Sequence, residues 1–357
     1  MEIVVPTIGT VAGKMIKFDF KTGWLTLNRD CNLRCKLCYA RETGFKKSLS
    51  MDIELAKKIL DLFKELGIKN VTLIGGEPTL HPYFFEIADY CNLKGMRCGV
   101  VTNAVVFNND KYIRKIVSSS LNHVSISIKG ENRDVYKSIA GSDQYNAVLN
   151  AIDKLIKNNI SVSTSMVLTD ENILTFTDII PALKKLGVSN FYFSFCYDFN
   201  MDSEKRKDIN PFQLLNKFRN IYPKLNKLTN GRFKLQNGFP LCCWDEQLLK
   251  ILVERKQIAT VCQLLGRKGL IFDSEGYHIP CNAMYKLQMG KFGVDFNDKE
   301  SFLSYLDDAN LQEAYSKLCG IPDSKCLDCK KLVNCGGGCV CQWTNYRLAE
   351  YEKMNQK

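Results

Sequence analysis

From residue 24 to residue 195 the sequence alternates between short apolar runs and amphipathic stretches of helical period, and no other feature limits the fold so tightly. Trp24–Asn28, Val71–Ile74, Met96–Thr102, His123–Ile128, Ser161–Leu168 and Phe191–Phe195 read as strands. Between them, residues 52–66, 82–93, 110–118, 144–157 and 172–186 read as helices, the first and last ending at Gly67 and Gly187. Strands separated by helices pair in parallel, with the helices packed outside. Six such units predict an α/β fold, a partial (β/α)6 TIM-like barrel, short of the eight units that close one. Ahead of them Met15–Phe20 alternates at period 2 and Lys21-Thr22-Gly23 reads as a turn, so residues 1–23 are expected to form an extension with a hairpin into the first strand.

The pattern changes after about residue 200. Residues 201–240 are polar, with one helix expected near Phe212–Ile221, and cysteines dominate from residue 241. A boundary near residue 235 is expected, dividing a barrel domain (24–235) from a Cys-rich C-terminal domain (236–357). The chain holds 16 cysteines in 357 residues. Its N-terminus has no basic segment ahead of an apolar stretch, which argues against a secretory signal, and no apolar run is long enough for a membrane span. A cytoplasmic location is therefore expected, where thiols stay reduced and clustered cysteines read as zinc or iron–sulfur ligands. The 49 basic and 38 acidic residues give a net charge of +11. They are spread along the chain, and no run predicts nucleic-acid binding.

Directly after the first strand comes Cys31-Asn32-Leu33-Arg34-Cys35-Lys36-Leu37-Cys38-Tyr39, with spacing C-x3-C-x2-C. Three thiolates from one short loop suit a [4Fe–4S] cluster with one iron left open, whereas structural zinc wants a fourth ligand nearby. Gly75-Gly76-Glu77-Pro78 closes the second strand, and its two glycines permit close approach of backbone to a ligand. Together these motifs resemble the signature of radical S-adenosylmethionine (SAM) enzymes. Val101-Thr102-Asn103-Ala104 is similar to the family's TNG strand end, and His123–Gly130 to its SxDG strand, with Lys129 where Asp is common. The resemblance implies that Cys31, Cys35 and Cys38 hold the cluster and that Tyr39 packs over it. It further implies that Gly75, Gly76, Glu77 and Pro78 meet the SAM methionyl group, that Asn103 closes the third strand there, and that Ser125 or Ser127 meets its carboxylate or ribose. Asn172 fits the fifth strand end.

Further on, Cys262 and Cys281 flank Gly276, and Cys326, Cys329, Cys335 and Cys339 follow with Gly336-Gly337-Gly338 in the last gap. A zinc ribbon accounts for the last four alone. Both halves resemble the SPASM extension of radical SAM enzymes, with Leu270–Cys281 as its β-hairpin, which implies two auxiliary iron–sulfur clusters. By that resemblance Cys262, Cys281 and Cys339 serve the first and Cys326, Cys329 and Cys335 the second. Cys341 and Cys319 are candidates for the second cluster's remaining ligand; the first's is Cys242 or Cys243, or is absent, which would leave an open iron for substrate.

The implied chemistry is formation of a 5′-deoxyadenosyl radical and abstraction of hydrogen from a substrate. Two substrate classes stand. One is a ribosomally made precursor peptide, cross-linked, oxidised or epimerised; the other is a small molecule such as a sugar or aminocyclitol, dehydrogenated or epimerised. About 23 residues precede the core strand, too few for a leader-binding domain, so for the first class leader recognition is expected to need a separate leader-peptide-binding protein or a different surface of this chain. The net +11 suits an acidic flavodoxin or ferredoxin as electron donor. Cys196, after the sixth strand, is the candidate hydrogen donor for epimerisation, weighed against a small buried hydrophobe. Cys91 and Cys98 read as buried hydrophobes, and His81, His123 and His278 as structural.

Overall fold

A computed structural model describes residues 17–195, 211–262, 266–318 and 326–339. In chain order it runs β1 (Thr22–Thr26), α1 (Ile53–Glu65), β2 (Asn70–Ile74), α2 (Phe84–Leu93), β3 (Arg97–Thr102), α3 (Asp110–Ser118), β4 (His123–Ile128), α4 (Arg133–Ala140), α5 (Tyr145–Lys157), β5 (Val162–Leu168), α6 (Ile180–Lys185) and β6 (Phe191–Phe195). Each of these strands pairs in parallel with the next. The expected six-stranded partial barrel is thus present. Helix α1 illustrates the local logic. The Asp52 side chain caps its first N–H groups, and Ala56, Ile59, Leu60 and Phe63 form one buried stripe against the sheet.

The sheet extends past both edges of those six strands. After α7 (Pro211–Leu228) come β7 (Phe233–Gln236), α8 (Glu246–Glu254) and β8 (Ile258–Ala259), and the two strands add in parallel beyond β6. Strand β7 straddles residue 235, so the sheet is continuous where the sequence pattern changes. On the opposite edge, β9 (Gly269–Phe272) pairs in parallel with β1, Thr22 opposite Gly269 and Leu25 opposite Phe272. Strands β10 (Tyr277–His278) and β11 (Gly290–Lys291) follow it antiparallel. The expected Leu270–Cys281 hairpin is therefore β9–β10. Helices α9 (Lys299–Leu306), α10 (Ala309–Leu318) and α11 (Leu332–Cys335) complete the described chain. No helix among the described residues is long and apolar enough to cross a membrane.

Three expectations need correction. The hairpin over residues 15–28 is not formed among the described residues. Lys17–Phe20 lies outside any strand, and Asp19 and Lys21 donate backbone N–H groups to Arg267 and Lys268 as the chain enters β1. The period-2 pattern there reflects Phe18 and Phe20 docking on Tyr315 and Phe302 of the C-terminal helices, with ring centroids 4.9 and 6.2 Å apart. The helix expected over 172–186 is reduced to α6, preceded by a 3-10 turn at Phe176–Ile179, because Pro181 lacks an N–H and fits only in a helix's first turn. Helix α4 was missed: it is short, and Tyr136, Ile139 and Ala140 are its only buried residues.

His278 sits fully buried at the centre of the aromatic cluster that fastens β9–β11 to α9 and α10. Its two ring nitrogens meet the hydroxyls of Tyr305 (3.0 Å) and Tyr315 (3.1 Å). Burial pushes its pKa down to about 3. The unfolded chain binds that proton near pH 6.5 and the folded chain does not, so this contribution to stability is full above about pH 6.5 and is lost as pH falls toward 3. Lowering pH from 7.5 to 5.5 is expected to cost about 1.4 kcal/mol through this residue. Urea midpoints at the two pH values, for the wild type and His278→Gln, check this: the variant should lose that part of the pH dependence, and equal dependence in both would refute it.

Candidate active site

The six strands β1–β6 end together at one open pocket, where the loop after β1 folds over the strand ends. Cys31, Cys35, Cys38, Tyr39, Gly75, Gly76, Glu77, Asn103 and Ser127 all line it. The cavity has a volume of about 220 Å³ and opens to solvent at its mouth.

Gly75 and Gly76 hold the site together. Their close approach is to the β1 loop itself: a Cβ on Gly75 would lie 2.4 Å from Asn28 Oδ1 and 2.8 Å from the Asn28 carbonyl oxygen. On Gly76 it would lie 2.3 Å from the Asp30 carbonyl oxygen and 2.5 Å from that of Arg29. Without side chains, Gly76 and Glu77 donate backbone N–H groups to Asn28 (2.9 Å) and Asp30 (2.7 Å), and Asn28 Nδ2 donates to the Glu77 carbonyl at 3.0 Å. The start of the three-cysteine loop is thereby bonded to the end of β2. Two further backbone bonds, Arg34 to Ala140 and Lys36 to Ile139, fasten its middle to the end of α4.

Glu77 is buried, and its carboxylate is engaged within the protein. One oxygen accepts the Thr102 hydroxyl (2.6 Å), the Thr79 hydroxyl (2.6 Å) and the Thr79 N–H (3.2 Å); the other accepts the Asn103 N–H (2.7 Å). Burial raises its pKa despite those four donors. Its side chain therefore joins β2 to β3. Pro78 is buried and opens the following 3-10 turn. Asn103 Nδ2 donates to Asn32 Oδ1 (2.7 Å) and lies 3.8 Å from Cys31 Sγ, which also accepts the Leu33 N–H at 3.4 Å. Ala104 stands at φ +62°, the left-handed region that glycine tolerates best.

The three thiols share the pocket and interact electrostatically. Burial pushes Cys31 up to about 12 and raises Cys38, against which the charges of Lys129 and Arg29 act. A soft donor set of this kind, with Cys31 buried and Cys35 and Cys38 half-buried, fits a thiolate-bound metal cluster, which shifts such thiols to their ionised form. Tyr39 lines the same wall, its hydroxyl donating to the Gly75 carbonyl at 3.3 Å.

Of the two serines expected on β4, Ser127 lines the pocket, and Ser125 lies deeper in the barrel, beyond the lining. Lys129 also lines it. Sequence reasoning missed Ser165 on β5 and Ser194 on β6, which line the same wall, and Thr102, which holds Glu77. Ser194 carried a signal, since it stands between buried Phe193 and Phe195 on its strand, whereas Ser165 follows buried Ser163 and Thr164 and carried none. Asn172 is buried and bonded to Thr169 and the Val167 carbonyl, closing the end of β5. Cys91 and Cys98 are buried in the core. Cys196, Cys319 and Cys341 lie outside the described residues.

Cys335 and Cys339 meet the segment between β7 and α8, which itself carries Cys242 and Cys243. Gly336, Gly337 and Gly338 all have positive φ (60°, 76° and 84°), so the chain after α11 turns back on itself and brings the Cys339 N–H to the Gly238 carbonyl at 2.8 Å. Buried Cys335 accepts the Leu241 N–H at 3.2 Å. Cys243 stands beside Cys242 and near Cys335, with its pKa pushed up to about 12 by burial and then by the Cys242 charge. Cys262, Cys281 and Cys326 are half-buried and Cys329 is exposed. Among the described residues no three His, Cys, Asp or Glu side chains converge closely enough for one metal ion as they stand.

Comparison with known proteins bears on this arrangement. Residues 25–194 match the Radical SAM superfamily. Fe-coproporphyrin III synthase of Methanosarcina barkeri is 25% identical over 169 residues, 47% of this chain and 42% of that protein. The antilisterial bacteriocin subtilosin biosynthesis protein AlbA of Bacillus subtilis is 25% identical over 215 residues, 55% of this chain and 46% of that protein. The chain thus spans less than half the length of these curated relatives. In fold it is similar to Streptococcus suis SuiB bound to the precursor peptide SuiA, with a TM-score of 0.70 at 15% identity over 92% of this chain and 73% of SuiB.

Two substitutions test the backbone reading. Gly76→Ala must displace backbone atoms and is expected to cost about 2 kcal/mol or more, whereas Gly99→Ala on β3, whose nearest neighbour would be 3.5 Å away, should be tolerated. Chemical denaturation of both variants decides it, and equal costs would refute it. Ala104→Gly is expected to stabilise by up to about 1 kcal/mol by removing the left-handed penalty. A lower denaturation midpoint in that variant would show that the position carries no such strain.

Proposed function

Starting from a radical SAM domain over residues 25–194, we propose that the chain is a radical SAM enzyme that modifies a ribosomally made peptide. The observation that carries the first part is the meeting of the Cys31, Cys35 and Cys38 thiols with the Gly75-Gly76 end of β2 in one open pocket. A [4Fe–4S] cluster and SAM bound there would supply reductive cleavage of a sulfonium and abstraction of a hydrogen atom from unreactive carbon. Cys31, Cys35 and Cys38 would be the protein ligands, three for a four-iron cluster, which would leave one iron without a protein ligand. The N–H groups of Leu33 and Asn103 directed at Cys31 Sγ stabilise its thiolate. Ser127, Ser165 and Ser194, from three successive strands, provide hydroxyls for a ribose or carboxylate, and Lys129 provides a cation on the same wall. Tyr39 and the buried Glu77–Thr102–Asn103 network hold these groups fixed.

The peptide reading is supported by the bacteriocin-biosynthesis relative and by the fold shared with a precursor-peptide complex. The 241–262, 281 and 326–339 cysteines form the auxiliary-cluster region of this reading, a SPASM-type domain from residue 236 onward with soft thiol donors around glycine turns. A flavodoxin or ferredoxin supplies the electron, and the leader segment binds either a separate protein or another surface of this chain. The tetrapyrrole-synthase relative favours a second reading, a small-molecule substrate.

Anaerobically reconstituted, reduced protein is expected to release 5′-deoxyadenosine from SAM, and Cys35→Ala should reduce that release to background. Co-expression with a short reading frame encoded beside the gene, followed by mass spectrometry, tests the substrate. Loss of two hydrogens supports cross-linking or oxidation. Unchanged mass with one solvent deuterium supports epimerisation, and Cys196→Ala then tests the hydrogen donor. An unmodified peptide under conditions of SAM cleavage, with the leader-binding partner present, moves the assignment to the small-molecule reading.

A further inference from the structure

Tyr136, on α4, is 1% exposed, and its hydroxyl is buried with no hydrogen-bond partner. A buried tyrosine hydroxyl normally finds one, because leaving it unmet forfeits its hydration without return. The neighbouring Tyr145 ring, 6.0 Å away and edge-on, shows the usual outcome: its hydroxyl donates to the Glu131 carbonyl at 3.2 Å. Tyr136 is also firmly placed. A Cβ on Gly130 would lie 2.4 Å from the Tyr136 nitrogen, so α4 is seated directly on the end of β4. One turn beyond Tyr136, the Ala140 and Ile139 carbonyls accept the N–H groups of Arg34 (3.1 Å) and Lys36 (2.9 Å). Cys35 stands between those two donors in the chain, so the loop is clamped to α4 at this cysteine.

Burial above all keeps the phenol protonated, and so a donor; the charges of Cys35, Glu77 and Cys31, in falling order, act in the same direction. Two of those three groups are already met. Glu77 accepts from four donors, and Cys31 Sγ accepts the Leu33 N–H, with Asn103 Nδ2 at 3.8 Å. The loop's last cysteine, Cys38, has the Ala40 N–H directed at it. Among the described residues nothing donates to Cys35 Sγ. Tyr136 does not line the pocket, so a ligand bound there does not meet its hydroxyl. An idle buried donor thus faces the one loop sulfur that lacks a donor.

We propose that the Tyr136 hydroxyl donates to Cys35 Sγ once that sulfur is a cluster-bound thiolate, which rests on the [4Fe–4S] reading above. As a thiol Cys35 is a weak acceptor, and no bond joins the two. Ionised, it is a strong one. Hydrogen bonds to the sulfurs of a cluster stabilise its reduced, more negative form and raise its reduction potential. Tyr136 acts on the cluster through Cys35 and is a positioning residue.

The test uses the full chain, reconstituted anaerobically with iron and sulfide, and the variants Tyr136→Phe and Tyr145→Phe. The EPR signal absent from Cys35→Ala identifies the cluster in question. After exchange into heavy water, electron–nuclear double resonance on that reduced cluster is expected to show a deuteron coupling in the parent and in Tyr145→Phe that is missing in Tyr136→Phe. The midpoint potential is expected to fall in Tyr136→Phe alone. Retention of every exchangeable coupling in Tyr136→Phe overturns the assignment, as does an unmoved potential at full iron content. The iron-free chain gives a second readout. There the hydroxyl is unmet, so Tyr136→Phe should unfold at the same urea concentration as the parent or a higher one. A lower midpoint would reveal a partner within the protein and overturn the assignment too. Failure of Tyr136→Phe to hold this cluster, with iron-free stability unchanged, supports it. A parent chain with no Cys35-dependent cluster overturns the [4Fe–4S] reading itself, which the other outcomes leave standing.

Discussion

The arrangement of the site depends on one backbone contact, between Gly75-Gly76 at the end of β2 and Asn28–Asp30 at the end of β1. Both glycines pass so close to carbonyl oxygens that no side chain fits, and the bonds made there set where the three-cysteine loop begins. From that point the rest follows by short-range bonding. Glu77 is carried under the loop, Thr102 and Asn103 of the next strand bind its carboxylate, and Asn103 turns its amide toward Cys31. Three strand ends are thus locked into one unit before any ligand is considered. Such preorganisation is what a site needs in order to direct reactive chemistry.

Most of the barrel was legible in the sequence because each element obeys one period. His123–Ile128 and Phe191–Phe195 alternate cleanly, and their observed bounds coincide with the reading. Residues 172–186 did not, because Pro181 and a buried 3-10 turn interrupt the helical spacing. The pairing of β9 with β1 had no local signal: the pattern marks a hairpin but does not say which edge receives it. The same limit applies to residues 15–20, where alternation arises from two phenylalanines docking on distant helices rather than from a strand.

The candidate site divides along similar lines. The three-cysteine loop was legible because spacing alone groups its thiols, and the Gly-Gly end because it follows the second strand in the pattern of the family it resembles. The role of Glu77 was not, since its partners Thr79, Thr102 and Asn103 come together only through the β2–β3 pairing. Ser165 and Ser194 join the pocket wall through strand register.

The parallel pairing of β9 with β1 also orders events in time. A ribosome releases β1 early, yet the strand that covers its outer edge begins at Gly269. Until that segment emerges, β1 presents unpaired backbone groups on the side away from β2, the kind of edge on which other chains add. The two strands of that pair are far apart in sequence, Thr22 lying opposite Gly269, so closing that edge carries the loop-entropy cost of a long separation. The cysteines that follow β9 are made last, and they reach a barrel whose first strand has only just been covered.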